Sequence, residues 1–379
     1  MSWDMIELGK VCEFINGDRS ENYPGKLRSK NNGVPFINAG HIVDGKIDHV
    51  NMDYIPKEAF EVLRTGVVRE NDIVFCLRGS LGKHAIIEKG VTGAIASSLV
   101  ILRHNQLMDT RFLNFILDSE DFISSLTALN TGSSQPNLSA KSVMKINVPL
   151  PSLAEQRHVA AEIEHQLAIV GKAKQAAMEQ LAAAQVLNAA YLREVFDGND
   201  WEQVRLGDVC EDIFAGGDVP YNRFSKIKTA EYMTPVYTNG ETNDGFFGYT
   251  NYARVTKKSV TISGRGTIGY SSVREAGYYP AIRLIAAIPK VSLDANFLHY
   301  SLLCYDFRKD GTSIPQLTVP MVKEIEIALP RLDEQQRIVE YLGDHYAKTN
   351  KTISALQRQL DMITAIPTAI LRRAFSGQM

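Results

Sequence analysis

Gly264-Arg265-Gly266-Thr267-Ile268-Gly269 has the GxGxxG spacing that lets a backbone approach the pyrophosphate of a dinucleotide. That chemistry needs a strand before the glycines and a helix after them, so that the helix N-terminus faces the phosphates. Here Tyr270-Ser271-Ser272-Val273 follows and reads as more strand. The earlier counterpart, Leu77-Arg78-Gly79-Ser80-Leu81-Gly82, lacks the first glycine, so a strand–turn–strand corner is the better reading of both. Gly79-Ser80-Leu81-Gly82-Lys83-His84 resembles a phosphate loop but has neither the GxxxxGK spacing nor the Ser/Thr that would meet Mg2+. The eight histidines form no HExxH, and the four cysteines, Cys12, Cys76, Cys210 and Cys304, form no CxxC or His/Cys ligand spacing. There is no Asn/Asp-Pro-Pro-aromatic motif of an amino-methyltransferase and no cluster of carboxylates such as a metal-dependent nuclease needs. These absences predict a chain with no catalytic residues, no metal site and no cofactor of its own.

The remaining chemistry is polyanion binding. Formal net charge is −2, which excludes a uniformly basic coat but not a local basic face. Between Tyr221 and Lys290 there are ten basic residues against four acidic ones, an excess of six. Tyr221, Arg223, Lys226, Lys228, Arg254, Lys257, Lys258, Arg265 and Arg274 are the candidate DNA contacts there, with tyrosines and asparagines interleaved. In the first part of the chain Arg19, Lys26, Arg28 and Lys30 form one cluster, and Arg78, Lys83 and His84 another. Arg and Lys hold phosphates, while Asn, Arg and Tyr can read base edges or stack. The bland alternative is a solvated surface with the tyrosines packed between strands.

The elements that would carry these residues come in two copies. Leu150-Pro151-Ser152-Leu153-Ala154-Glu155-Gln156 recurs as Leu329-Pro330-Arg331-Leu332-Asp333-Glu334-Gln335, an offset of 179. Leu192-Arg193-Glu194-Val195-Phe196-Asp197-Gly198 recurs as Leu371-Arg372-Arg373-Ala374-Phe375-Ser376-Gly377, again at 179. Gly132-Ser133-Ser134-Gln135-Pro136 and Gly311-Thr312-Ser313-Ile314-Pro315 share that offset. Trp3 matches Trp201 at 198, and Arg78-Gly79 matches Arg265-Gly266 at 187, so the offset drifts within the globular parts and then locks. Variable loops on a constant frame point to recognition.

The length-locked parts read as helices. From Ile163, spacings of 4 and 3 alternate through Leu167, Val170, Lys174, Ala177, Leu181, Ala184, Asn188, Tyr191 and Val195. The second copy runs Leu342, Tyr346, Thr349, Ile353, Leu356, Leu360, Ile363, Pro367, Ile370 and Ala374. A sustained 4-3 seam predicts a coiled coil, antiparallel because the seams match in length and centre. Each seam of 33 residues would reach about 50 Å. Pro367 is expected to kink its helix, since it has no N–H and its ring meets the preceding turn. Asp72-Ile73-Val74-Phe75-Cys76-Leu77 and Lys258-Ser259-Val260-Thr261-Ile262-Ser263 read as strands, with short helices near Thr110–Leu117 and Ala295–Leu303.

The expected fold class is therefore mixed α/β: two globular domains, 1–150 and 200–330, a central helix over 151–199 and a C-terminal helix over 331–379, with a pseudo-two-fold internal repeat. At 379 residues with 45% hydrophobic and 22% charged residues, the chain is ordinary globular protein and long for one core. Met1-Ser2-Trp3-Asp4-Met5 carries no basic segment followed by an apolar run, and no stretch approaches 18 uninterrupted apolar residues. With scattered cysteines, this predicts a cytoplasmic protein with reduced thiols.

In this order the duplicated motifs resemble the DNA specificity subunit of type I restriction–modification systems. The resemblance runs over essentially the whole chain, from the Trp-x-x-x-x-Leu-Gly-x-Val starts at Trp3 and Trp201 to the Leu-Arg-x-x-Phe-x-Gly helix ends. It implies two target recognition domains, each reading one half of a bipartite double-stranded DNA site, and antiparallel helices that set the gap. It implies two docked methyltransferase subunits carrying S-adenosylmethionine, and restriction subunits, translocase–nucleases using ATP and Mg2+. The subunit itself would be non-catalytic within an adenine-specific methyltransferase and endonuclease. Because Phe375-Ser376-Gly377 maps onto the linker before Trp201, the two chain ends are expected close together, a pseudo-circular arrangement. Two other functions remain open from the residues alone: a coiled-coil scaffold with two ligand-binding domains, and an enzyme using the Gly264–Gly269 loop.

Overall fold

The computed structural model describes residues 3–129, 138–307 and 316–376. The Gly132–Pro136 and Gly311–Pro315 segments of the repeat, and Gly377, lie outside the described residues. Two compact units emerge. One comprises residues 1–177 and 359–379, the other residues 178–358. Both unit boundaries fall inside long helices, Leu153–Phe196 and Leu332–Phe375, so each unit joins one globular region to a part of each helix.

The two units are built on one plan. In the first, strands Cys12–Asn16, Leu99–His104, Ile73–Cys76 and His84–Ile86 form an all-antiparallel sheet in that spatial order. In the second, Cys210–Ala215, Ile285–Pro289, Ser259–Ile262 and Ser271–Arg274 form the same sheet in the same order. The centre strands Ile73–Cys76 and Ser259–Ile262 are buried at every position; the first is an unbroken apolar run, while the second buries Ser259 and Thr261 alongside Val260 and Ile262. A smaller sheet flanks each main sheet and contains a parallel pair: Val34–Ile37 with Gly93–Ile95 at the centre of the first, and Thr234–Tyr237 with Tyr279–Pro280 at the edge of the second. A third, two-stranded sheet links the start of each globular region to its end, Met5–Glu7 with Asn147–Pro149 and Glu202–Arg205 with Glu326–Leu329.

Helix Thr110–Leu117 covers the first main sheet and Ala295–Cys304 the second. Each starts at an aspartate N-cap: Asp109 accepts from Arg111 and Phe112 N–H, and Asp294 from Asn296 and Phe297 N–H. The Gln of the repeated Leu-Pro-x-Leu-x-Glu-Gln motif ties that cap to the long helix. Gln156, fully buried, accepts from Asp109 N–H at 2.8 Å and donates to the carbonyls of Leu107 and Pro151 at 2.9 Å each. Gln335, also fully buried, accepts from Asp294 N–H at 2.8 Å and donates to Ser292 and Pro330 at 2.9 Å each. The motif is therefore a hydrogen-bonded joint made twice.

The end of a long helix closes each unit. In the first, Phe375 lies 6.4 Å from the Trp3 ring and 5.6 Å from Phe112. In the second, Phe196 lies 6.2 Å from Trp201 and 5.6 Å from Phe297. The first and last described segments of the chain thus meet in one aromatic cluster.

Within each unit the helix parts run antiparallel. In the second unit, Asn188 donates to Asn350 and Tyr341 donates to Glu194, so one number rises as the other falls. In the first, Leu167 and Val170 pack into the same core as Ile370, Leu371 and Ala374. Ile163, Ala177, Leu342 and Ile370 are buried; Leu167, Val170, Leu181, Tyr191, Ile353, Leu356, Leu360 and Ile363 are half-buried. Lys174 is exposed. Asn188, a polar residue on the seam, donates to Asn350 across it at 3.3 Å. Pro367 lies inside the helix, which continues past it to Phe375. Packing of Ile370, Leu371, Ala374 and Phe375 on the first core holds the turns beyond it.

The Gln joint sets a test. Gln335→Ala should destabilise the protein by about 3 kcal/mol, because it leaves Asp294 N–H and two carbonyls buried without partners. Gln335→Glu should be at least as harmful at pH 8 and recover part of the loss toward pH 5, since only the protonated carboxyl donates. Denaturant unfolding across pH checks both; a Gln335→Ala variant as stable as the parent would refute the joint.

Candidate nucleic-acid interface

The two glycine-bearing turns are equivalent and exposed. In the first unit, Leu81 N–H bonds to Gly79 carbonyl at 3.0 Å, Gly82 N–H to Cys76 at 3.1 Å, and Leu138 N–H to Leu77 at 2.9 Å. In the second, Ile268 N–H bonds to Gly266 at 3.0 Å, Gly269 N–H to Ser263 at 3.0 Å, and Leu317 N–H to Gly264 at 2.8 Å. Gly266 and Gly269 sit at φ +70 and +85, and the Phe307 ring fills the space where a Cβ on Gly269 would go. Strand Ser259–Ile262 enters the turn and strand Ser271–Arg274 leaves it, with no helix behind the glycines. The dinucleotide-loop geometry is absent, and the motif is a strand–turn–strand corner. Arg78 and Arg265 sit exposed at its tip; Arg265 donates to Gln316 at 2.8 Å.

The second-unit cations divide by what they touch. Arg223, Lys228, Arg254 and Arg265 are exposed, as is Tyr221 at 72%. Arg254 stacks its guanidinium 4.5 Å over the Phe214 ring, and Arg223 lies 5.9 Å from Tyr252. Lys226 sits 3.6 Å over Phe247 and donates to its carbonyl. Lys257 and Lys258 pair with Glu211 at 2.5 Å and Glu275 at 3.1 Å.

Arg274 does not face outward. It is 5% exposed, stacked 3.8 Å over Tyr237, bonded to Thr261 and gripping the Asp244 carboxylate and carbonyl. The Asn243-Asp244 backbone is left-handed, at φ +50 and +53, and Tyr270 donates to Asp244 at 2.9 Å. Burial and the Asp244 carboxylate push the Tyr270 hydroxyl up to about 12. Arg274 thus shapes the 238–245 loop from beneath; the sequence places it among surface cations because charge alone carries no burial signal.

In the first unit, Arg19 donates to Ser97 carbonyl at 3.1 Å and Lys26 is exposed. Lys30 contacts Asp53 at 2.6 Å and Arg28 approaches it at 3.7 Å, with Asn38 donating to the same carboxylate. The Lys30 hydrogen bond holds the Asp53 carboxyl below the usual range. Lys83 is half-buried and donates to Ala39 carbonyl. His84 is a correction: at 6% exposure it stacks on Phe75, and its Nδ1 lies 2.7 Å from Gly82 carbonyl, so the imidazole belongs to the core.

One joining residue escapes sequence reasoning. Asn239 accepts from Gly264 N–H at 2.8 Å and donates to Ile282 carbonyl at 2.5 Å, binding three loops at one edge of the second unit. Its neighbouring Gly240 signals a turn but not these long-range partners. Among the described residues no group of three or more His, Cys, Asp or Glu is placed to hold a metal. Cys12 and Cys210 are buried, which pushes both thiols up to about 12. Among the described residues no helix is long and apolar enough to cross a membrane.

The type I restriction modification DNA specificity domain matches this chain twice, over residues 1–170 and 198–361. A putative type I specificity subunit of Mycoplasma pneumoniae is 31% identical over 254 residues, 65% of this chain and 67% of that one. The specificity subunit of the type I restriction enzyme MjaVIII of Methanocaldococcus jannaschii is 25% identical, over 90% of this chain and 85% of that one. The solved HsdS subunit from Thermoanaerobacter tengcongensis aligns over all of this chain and 97% of its own, at a TM-score of 0.64 and 24% identity. A chain solved for the complex assembly and conformational transition of the type I R-M system aligns over 100% and 98%, with a TM-score of 0.83 and 24% identity. At that identity the two structures speak to the fold.

The division of arginines is open to measurement. Asp244→Ala should cost the second unit about 3 kcal/mol, because it strips a buried guanidinium of its counter-charge. Arg265→Ala, at an exposed tip, should change stability by less than about 0.5 kcal/mol. Urea unfolding of both variants decides; equal losses would remove the distinction between inward and outward cations.

Proposed function

The chain belongs to the type I restriction–modification DNA specificity family, whose members are non-catalytic subunits; on that premise we propose how its parts share the work. Each globular region reads one half of a bipartite duplex target. The exposed turns at Arg78 and Arg265 hold phosphate, while the loops around Lys26 and around Tyr221 and Arg223, which leave equivalent strands but differ in sequence between the repeats, approach base edges. The observation that carries this reading is the duplication of a whole unit, sheet, turn and helix joint alike. Two similar basic readers suit two half-sites.

The paired helices act as the spacer and as the seat of two methyltransferase subunits. Those subunits bring S-adenosylmethionine and methylate adenine; translocase–nuclease subunits, using ATP and Mg2+, add restriction. The complex works on DNA in the cytoplasm. In support stand the matched 44-residue lengths of the helices and the exposed apolar side chains along them, Ile169, Val186 and Met362.

Methylation mapping in a host expressing this subunit with its methyltransferase tests the proposal. A bipartite methylated motif is the expected result, and methylation without one would refute it. Exchange of residues 200–330 for the matching domain of a relative should alter one half of the motif only. In the assembled complex, log K should fall with log salt by about 0.9 per phosphate held, and Arg265→Ala should lower that slope by about one contact. Seven residues added at Met178 and at Arg358 keep the seam phase and should widen the gap by about 3 base pairs, from about 10 Å of added helix. An active double insertion that keeps the parental gap would refute the spacer role.

A further inference from the structure

Among the described residues, four of the six non-glycine residues with left-handed backbone are Asn or Asp, the types that tolerate it: Asp44, Asn71, Asn243 and Asp244. The other two are consecutive, Ile282 at φ +51 and Arg283 at φ +60. They form the centre of a two-residue turn closed by Leu284 N–H to Ala281 carbonyl at 3.0 Å. A β-branched side chain is among the worst choices for that conformation.

The fold does not require it. The first unit has the same turn, Ala96 to Leu99, closed by the same bond at 3.0 Å. Gly17 there packs on the Ile95 and Ala96 carbonyls as Gly216 packs on the Pro280 carbonyl and Ala281 in the second unit, which fixes the equivalence. Its central residues are Ser97 and Ser98, and neither has a positive φ. The second unit therefore holds isoleucine in a strained turn where its twin uses two serines.

The strain is held by hydrogen bonds to the backbone. Ile282 N–H bonds to Gly217 carbonyl at 2.8 Å, Arg283 N–H to Gly216 at 3.2 Å, and the Asn239 amide to Ile282 carbonyl. The side chain is left 44% exposed. Three arginines are linked to this turn by sequence or through these bonds. Arg283 is adjacent and exposed, and Arg265 follows Gly264, which Asn239 also binds. The Arg254 guanidinium lies 3.7 Å from the point a Cβ on Gly217 would occupy.

We propose that Ile282 is a base-contacting residue of the second reader, its apolar side chain meeting a base of the half-site while Arg254, Arg265 and Arg283 hold the flanking phosphates. This rests on the DNA-reading function above and adds a specific residue to it. Duplex DNA offers apolar base surface and methyl groups inside a phosphate frame, the combination this tip complements. The unit-one turn, with serines, makes no such contact.

The test uses the complex assembled with its methyltransferase subunits and a duplex library randomised over both half-sites. Ile282→Ser should lose about 10-fold of discrimination at one position of one half-site, the scale of a single mismatched contact. Ile282→Leu, still apolar, should keep most of it. Ile282→Gly suits the backbone, so it should hold or raise Tm while losing the same discrimination; a purely structural isoleucine would give the reverse. Unchanged preferences in the Ser and Gly variants, with the parent still selecting a bipartite site, overturn the proposal and leave the DNA reading intact. Loss of subunit assembly without any change of base preference also overturns it, assigning the tip to an acidic protein surface. A parent complex that selects no bipartite sequence defeats the DNA reading and the proposal together.

Discussion

A primary amide with no exposed surface decides how each globular region sits on its helix. Gln156 and Gln335 each satisfy one backbone N–H and two carbonyls, and those groups belong to the helix start on one side and the Asp-capped helix on the other. A hydrogen bond made in a dry site tolerates little displacement, because a misplaced partner leaves a buried polar group unpaired. Glutamine suits the place because it donates and accepts from one planar group. Glutamate would bury charge and asparagine would fall short. The aromatic trios at Trp3 and Trp201 complete the same corner by packing, so polar and apolar contacts together fasten each unit.

With the frame fastened, the charged side chains can serve different ends. Arg274 lies beneath the 238–245 loop and holds its Asp244; Arg265 and Arg78 stand on turns built from equivalent bonds. In the first unit Asp53 gathers Lys30, Arg28 and Asn38 around one carboxylate. A cation already paired contributes less to a ligand's phosphate, so the excess of six charges overstates the field that the second unit presents.

The repeats share a frame and differ where a ligand would be read. The paired turns Ala96–Leu99 and Ala281–Leu284 have the same closing bond and different backbone conformations. Such a difference alters what is presented without disturbing the sheet, since both central residues lie outside the ladder. Offset drift in the globular parts and a constant offset in the helices are the sequence record of that division.

Much of this was legible in the chain alone. Periodicity of 4 and 3 marks helices because a seam must recur along one face, and constant spacing between repeats marks the duplication because a buried joint allows no slack. An apolar run such as Ile73–Cys76 announces a centre strand for the same reason of burial. The family followed from motif order. What the residues could not declare was direction and partnership. Whether Arg274 points inward depends on residues far away in sequence, Asp244 and Tyr237, and His84 is turned inward by stacking on Phe75 of the paired strand. That Asn239 ties Gly264 to Ile282, and that Ile282 sits in a strained turn, depend likewise on strands brought together only by folding. Local pattern determined the elements, because backbone periodicity is a property of neighbours in the chain. Only the tertiary structure decided which charges face solvent, because burial is a property of neighbours in space.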